Sequence, residues 1–314
     1  MLADLGRPLV GRLLALVPVV FGITLLVFLL NAIGLGDPTR AAMGQRGDPE
    51  ALERMRREYA LDRPLPVQYV IWIGRLARGD LGQSFREQRP VADVIAERLP
   101  ATIRLAVAAT LISVVLGCAV GALAALRPGS VLDHALMGLA VLGISTPVFW
   151  LGMMLILVFA VNLGWLPVSG YGGGDGRHLI LPALTLGALH TGTVARMTRS
   201  SLLEVIRQDY VQTARAKGLS EPTVLVKHAF RNALIPVVTV VGIGLASLLV
   251  GAPLTETVFA WPGVGRLLVA AVGQRDLPVV MGAVMVFALV YVLGNLAVDL
   301  AYLVIDPRTR RGAS

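Results

Sequence analysis

The stretch LAVAATLISVVLGCAVGALAAL, from Leu105 to Leu126, decides how the chain is read. It carries no charge, and about 20 apolar residues let a helix cross the hydrocarbon core of a bilayer. Five further stretches of the same kind flank it. They are Leu13 to Gly36, Ala135 past Asn162, Leu179 to Ala195, Asn232 to Thr255, and Leu277 to Val298 with an extension to Ile305. The fourth in chain order, Leu179 to Ala195, is the shortest and includes His190. Composition agrees: 55% of residues are hydrophobic and 15% charged, against roughly 45–50% and about 25% in a soluble domain. The reading is an all-α polytopic membrane protein with six transmembrane helices.

Arg7 and Arg12 precede the first apolar run, as in a signal peptide. The run is longer than an h-region of about 7–15 residues and no small-residue cleavage site follows, so a retained helix is expected. The single cysteine, Cys118, lies inside an apolar run and offers neither a disulfide framework nor a metal cluster. The net charge of +8 is spread between apolar runs rather than gathered on one face, which argues against nucleic acid. Basic loops beside apolar spans instead report orientation and anionic lipid. With the N-terminus inside, thirteen Lys and Arg fall in inner segments, and only Arg177, Arg266 and Arg275 fall in the short outer loops. Both termini are therefore expected in the cytoplasm. The loop from Asp37 to Arg104 is too long to vote.

Three parts follow: residues 1–36 with the first span, an extracytoplasmic loop over 37–104, and a five-helix core over 105–314 with a cytoplasmic loop over 196–232. In the outer loop, Asp48-Pro49-Glu50 opens a short helix on an aqueous surface. Pro66 to Arg78 reads as an amphipathic piece, Gly79-Asp80-Leu81-Gly82 as a break, and Pro90 to Leu99 as a helix leading into the second span. This loop either caps the bundle or docks an extracytoplasmic partner. Within the spans, Pro18, Pro147, Pro182, Pro236 and Pro253 mark kinks or a path through broken helices. Ser145, Pro147, Thr185, His190 and Ser247 are small or polar groups in apolar runs; they line a path or mediate helix packing. Glu256 and Asp299 are the acidic candidates, both near span ends.

The inner loop is the most patterned segment. The helix of the fourth span continues through Ser200 to Ile206, and Asp209 to Lys217 forms a short helix that Gly218 stops. Tyr210, Val211 and Ala214 share a face by spacing, Ala214 and Gly218 align small side chains, and Arg215 and Lys217 sit beside them. Ser220 caps a further helix with Pro222 in its first turn, which runs into the fifth span. Such a helix suits a groove on a partner or a lipid surface.

The run Asp209-Tyr210-Val211-Gln212-Thr213-Ala214-Arg215-Ala216-Lys217-Gly218-Leu219-Ser220 resembles the coupling-loop motif of permeases of binding-protein-dependent ABC importers. Gln212 and Thr213 replace the first two motif positions; Ala214 and Gly218 keep the spacing. His228-Ala229-Phe230-Arg231-Asn232-Ala233-Leu234-Ile235-Pro236, with its late proline, is similar to the peptide and nickel branch. Gly79-Asp80-Leu81-Gly82 with Arg98-Leu99-Pro100, Pro147 to Gly152, Gly164 to Pro167, Glu256 to Gly265 and Asp306-Pro307-Arg308 extend the likeness along nearly the whole chain. The long first loop and Gly36-Asp37-Pro38 resemble the first of that branch's two permeases.

The resemblance implies a type I ABC importer permease fold in a bacterial plasma (inner) membrane. It implies a second homologous permease, two cytoplasmic ATPases that bind ATP and Mg, and a soluble extracytoplasmic binding protein. No cofactor is expected in this chain. Asp209, Tyr210, Ala214, Arg215, Lys217, Gly218 and Leu219 would couple to the ATPases. The cargo would be a di- or oligopeptide, with nickel, glutathione and opines as alternatives. The sequence contains no Gly-x-x-x-x-Gly-Lys phosphate loop and no His-Glu-x-x-His or Gly-x-Ser-x-Gly motif. A secondary transporter is the competing class; it calls for internal repeats and paired ionisable groups at one depth, and neither is found.

Overall fold

The computed structural model describes residues 17–29, 50, 53, 56, 57 and 60–305; within these, the side chains of residues 246, 249–251 and 297–305 are not described. The features expected at Asp48-Pro49-Glu50, Gly36-Asp37-Pro38 and Asp306-Pro307-Arg308 therefore lie wholly or largely outside the described residues, as does the side chain of Asp299. The helices in chain order are α1 (Val17–Leu29), α2 (Leu65–Leu76), α3 (Val91–Leu126), α4 (Val131–Ser145), α5 (Val148–Leu155), α6 (Gly176–Ile206), α7 (Asp209–Ala216), α8 (Arg231–Val258), α9 (Val264–Gln274) and α10 (Leu277–Ile305). The described residues form no named strand; one isolated bridge pairs Gln83 with Pro90.

Among the described residues, four helical segments are long and apolar enough to span a bilayer: Val91–Leu126, Gly176–Ile206, Glu221–Leu245 and Leu277–Leu296. A further apolar pair, Val131–Ser145 with Val148–Asn162, is bent by 110°, as in a broken span or a re-entrant loop. The described part of the first expected span, Val17–Leu29, is shorter. Pro147 explains the bend. It cannot donate to the helix before it, and it pushes the preceding residue into extended backbone. Thr146 has φ −81° and ψ 129°. After the break, the segment Ile156–Asn162 winds as a π-helix. The expected kink is thus a full break, with about 22 Å of helix on the α4 side.

Chain contacts divide the protein into two units, residues 1–102 with 262–293, and residues 103–261 with 294–312. In the first, the start of α3 packs with α9 and α10 through Val91, Ile95, Val264, Ala271, Val279 and Ala283. The expected helix over Pro90 to Leu99 is the first part of α3 and runs on through Pro100 without interruption. Asp276 is buried and ties this unit's loop down. It accepts from the Ser84 hydroxyl and from the backbone N–H groups of Phe85 at 3.1 Å and Arg86 at 3.3 Å.

In the second unit α6 is the central helix. It packs against α4, α5 and α8 and buries Leu181, Ala183, Leu186, Val194 and Ala195 among others. Glycines set how closely its neighbours approach. A Cβ on Gly187 would stand 2.7 Å from the Ala109 carbonyl oxygen of α3, and one on Gly117 would stand 2.7 Å from Val194. Small residues let membrane helices meet backbone to backbone. This position also explains the modest hydropathy of the Leu179–Ala195 stretch, since half of the α6 window is covered by protein and need not face lipid.

Candidate functional site: the α7 loop between two spans

Two residues, Arg207 and Gln208, separate α6 from α7. Asp209 stands in the first turn of α7 and Arg215 in the last, both favourable to the helix dipole. Gly218 has φ +76°, and this left-handed turn ends the helix. Its N–H reaches the Arg215 carbonyl at 2.9 Å and the Leu219 N–H reaches Ala214 at 3.4 Å. This pair of bonds is a Schellman motif, which satisfies otherwise orphaned helix carbonyls. Gly79 closes α2 in the same way, with the Asp80 N–H on the Arg75 carbonyl at 3.0 Å.

Val211 and Ala214 are buried and pack on Val224 and Val205. Tyr210 is exposed and does not share their face. The structure thus parts what the spacing grouped: Ala214 anchors the helix to its own chain, while Tyr210, Lys217, Gly218 and Leu219 are presented outward. A Cβ on Gly218 would meet nothing within 4 Å in this chain.

Polar contacts fix the loop to the start of α8. The Asn232 side-chain amide donates to the Tyr210 hydroxyl at 2.9 Å and to the His228 carbonyl at 3.0 Å. Gln212 donates to the Ile206 carbonyl at 3.3 Å. Arg215 grips Glu221 with Nη2 to Oε1 at 2.6 Å. That hydrogen bond holds the Glu221 carboxyl below its ordinary range and raises Arg215. Ser220 precedes the turn Glu221–Thr223, but its hydroxyl pairs with Thr223 at 2.9 Å instead of capping a backbone N–H. A π-helical segment, Val224–Phe230, then joins this turn to α8. Ala125, Leu202, Ala229 and Ala233 form one small core that locks α3, α6 and the start of α8 together behind the loop.

Sequence reasoning missed the pair Asp133–Arg199. Asp133 is buried and takes two bonds from Arg199, at 2.6 and 2.7 Å, and one from the Gly129 N–H at 2.9 Å. It links the α3–α4 turn to α6 seven residues before the end of that helix. An acid just ahead of an apolar run was the available signal; its partner is 66 positions away.

The expected path residues separate. Ser145, Pro147 and Ser247 are exposed on this chain. His190 is half-buried, with its ring against Gly244, where a Cβ would stand 2.8 Å from Nδ1. Thr185 is buried, bonds to the Leu181 carbonyl at 2.8 Å, and packs against Gly152. It serves α5–α6 packing within this chain. Glu256 is fully buried near the end of α8.

The profile of the family described as "Binding-protein-dependent transport system inner membrane component" matches residues 117–311. The chain belongs to this family. The profile of its N-terminal counterpart matches residues 5–106. This family member is 43% identical to the di/tripeptide transport system permease protein DppB of Pseudomonas aeruginosa (strain UCBPP-PA14), over 95% of this chain and 97% of that one. It is also 43% identical to the dipeptide transport system permease protein DppB of Escherichia coli (strain K12), with the same coverage. The glutathione transport system permease protein GsiC of Escherichia coli (strain K12) is 44% identical over 96% of this chain and 98% of that one. Among solved structures, an amino acid ABC transporter matches with TM-score 0.52 and 14% identity, covering 66% of this chain and 92% of its own. The inward-facing MetNI methionine ABC transporter matches with TM-score 0.51 and 20% identity, covering 66% and 95%. These structures share the fold. The chain is a multi-pass, all-α permease of the ABC importer family.

Proposed function

We propose that this chain is one of two permease subunits of an ATP-driven importer that takes up dipeptides. The observation that carries the reading is 43% identity along nearly the full length to two permeases named for dipeptide or di/tripeptide transport. The α7 loop supports it mechanically. Two helices long enough to span a bilayer lead into and out of that loop, so a push on α7 acts on both spans.

In this reading the chain hydrolyses nothing. Two cytoplasmic ATPases bind ATP and Mg and dock on the outward groups of the loop, Asp209, Tyr210, Arg215, Lys217, Gly218 and Leu219, while Ala214 holds α7 to the chain. A binding protein delivers cargo from outside, and a homologous permease completes the path. Both termini are cytoplasmic, as the Lys and Arg distribution favours. Ser145, Pro147, His190 and Ser247 line the path, and Thr185 supports it from behind. ATP drives the change only through its different affinity for the two conformations.

Glutathione is the second reading, favoured by the 44% identity to GsiC. Uptake of a labelled dipeptide and of labelled glutathione in a deletion strain, with and without the chain restored, tests both. Unlabelled di- and tripeptides are expected to compete and glutathione is not. Restored uptake of glutathione without restored uptake of the dipeptide selects the second reading. Restoration of neither activity refutes both.

A further inference from the structure

We infer that α2, inside the loop between the first and second spans, is embedded in lipid and presents its outer face to acyl chains. This inference needs neither the cargo nor the ATP coupling proposed above; it needs only that the chain sits in a bilayer.

Successive residues of a helix are about 100° apart around its axis. Tyr69, Trp72, Ile73 and Leu76 fall on one side of α2 and are half-buried. Val67, Val70, Ile71, Gly74 and Ala77 fall on the opposite arc, and all are exposed. Val70 is the most open of its large side chains, at 68%, and a Cβ on Gly74 would meet nothing within 4 Å. Within Leu65–Leu76 the arc facing away from the protein therefore carries no polar group; Arg75 lies at its edge and Arg78 follows just past its C-terminal end. A helix lying on water shows the reverse pattern, with its polar residues outward. Gln68, the uncharged amide of α2, is turned back, donating to the Arg63 carbonyl at 2.7 Å and the Leu61 carbonyl at 3.4 Å.

The inner face fixes the depth. The Tyr69 hydroxyl bonds Thr24 at 2.8 Å. The Tyr69 ring meets Phe21 and Phe28 edge-on, with centroids 6.1 and 5.4 Å apart, and Trp72 meets Phe28 at 6.1 Å. Thr24 is the midpoint of the Leu13–Gly36 apolar stretch. α2 thus touches α1 at mid-span and not at a water-facing end. α1 itself exposes Phe21 and Leu26, so the bare arc of α2 continues a lipid-facing surface. At 12 residues α2 is about 18 Å long, too short to cross. Arg63 and Arg78 bracket it, placed for phosphate headgroups. Sequence alone put this amphipathic piece in an outer loop that either caps the bundle or docks a partner; the lipid occupant emerges only from its contact with α1.

Site-directed spin labelling tests the inference. The full chain with Cys118→Ser, purified with its co-expressed subunits, is reconstituted in phosphatidylcholine–phosphatidylglycerol liposomes. Labels are attached singly at Val70→Cys and Ile71→Cys, with Leu26→Cys as lipid reference and Arg86→Cys as aqueous reference. The expected result is collision with O2 several-fold above collision with a water-soluble nickel complex at both positions, as at Leu26. Nickel collisions equal to those at Arg86 would mean an aqueous docking surface and overturn the inference. Low collision with both reagents would mean that a protein subunit covers the arc, which overturns it equally.

Discussion

Gly218→Val tests whether the end of α7 transmits force. Gly218 stands at φ +76°, and an L-residue in the left-handed region costs roughly 1–2 kcal/mol. A β-branched side chain adds rotamer restriction. Since a Cβ there meets nothing within 4 Å in this chain, the intramolecular cost is backbone strain alone. That strain lowers the population of the correctly ended loop by roughly 5–30-fold, which is too little to prevent insertion of a protein with several apolar spans. Membrane blotting should therefore show Gly218→Val at the wild-type level, while labelled-dipeptide uptake is lost and ATPase co-purification weakens. Gly218→Asn separates the two causes, because Asn visits the left-handed region with little strain but adds bulk. If Asn behaves like Val, the loss comes from contact with the ATPase; if Asn resembles wild type, it comes from the helix end. Glu204→Gln, on an exposed side chain of α6, is the neutral control. Glu221→Gln is unsuitable for that purpose because Glu221 is held by Arg215. Normal uptake by Gly218→Val with ATPases bound would refute the docking account and favour a lipid-surface loop.

Reporter fusions at Gly173 should read outside and at Ser220 inside; the opposite pattern reverses the proposed orientation. Gly187→Val should lower the thermal midpoint of the purified chain by the equivalent of about 1–3 kcal/mol of overpacking, since its Cβ would lie 2.7 Å from a backbone oxygen, while Gly138→Ala, with nothing within 4 Å, should not. Tryptophan at Ser145 or Ser247 should block uptake and leave assembly intact; unchanged uptake removes both from the path. The Glu221 carboxyl is lowered in the folded protein by Arg215, so its contribution is full above the ordinary glutamate pKa and disappears as pH falls through the lowered value. Hydrogen exchange around residues 215–221 should therefore rise only in acid below the ordinary glutamate range, and Glu221→Gln should show no such step.

Much of this protein was legible in its sequence because a bilayer imposes simple rules. Backbone groups in hydrocarbon must bond internally, so long uncharged runs have to be helices, and α3, α6 and α10 lie where those runs do. The end of α7 was legible for an equally local reason, since a short helix followed by Gly218 has few ways to stop. What the sequence could not decide were contacts between residues far apart in the chain. Periodicity grouped Tyr210 with Val211 and Ala214, but the position of Val224 and Val205 decides which face is inward. Thr185 reads equally as a path or a packing residue until Gly152 is seen against it. Asp133 finds Arg199, 66 positions on, through packing that no local pattern encodes. Pro147 announced a disturbance, yet the 110° turn needed Thr146 to be held extended. Hydropathy counts apolar residues without regard to their neighbours, so it set the number and place of the long apolar runs; the neighbours of each residue, supplied only by tertiary packing, determine which of those surfaces meet protein, lipid or partner.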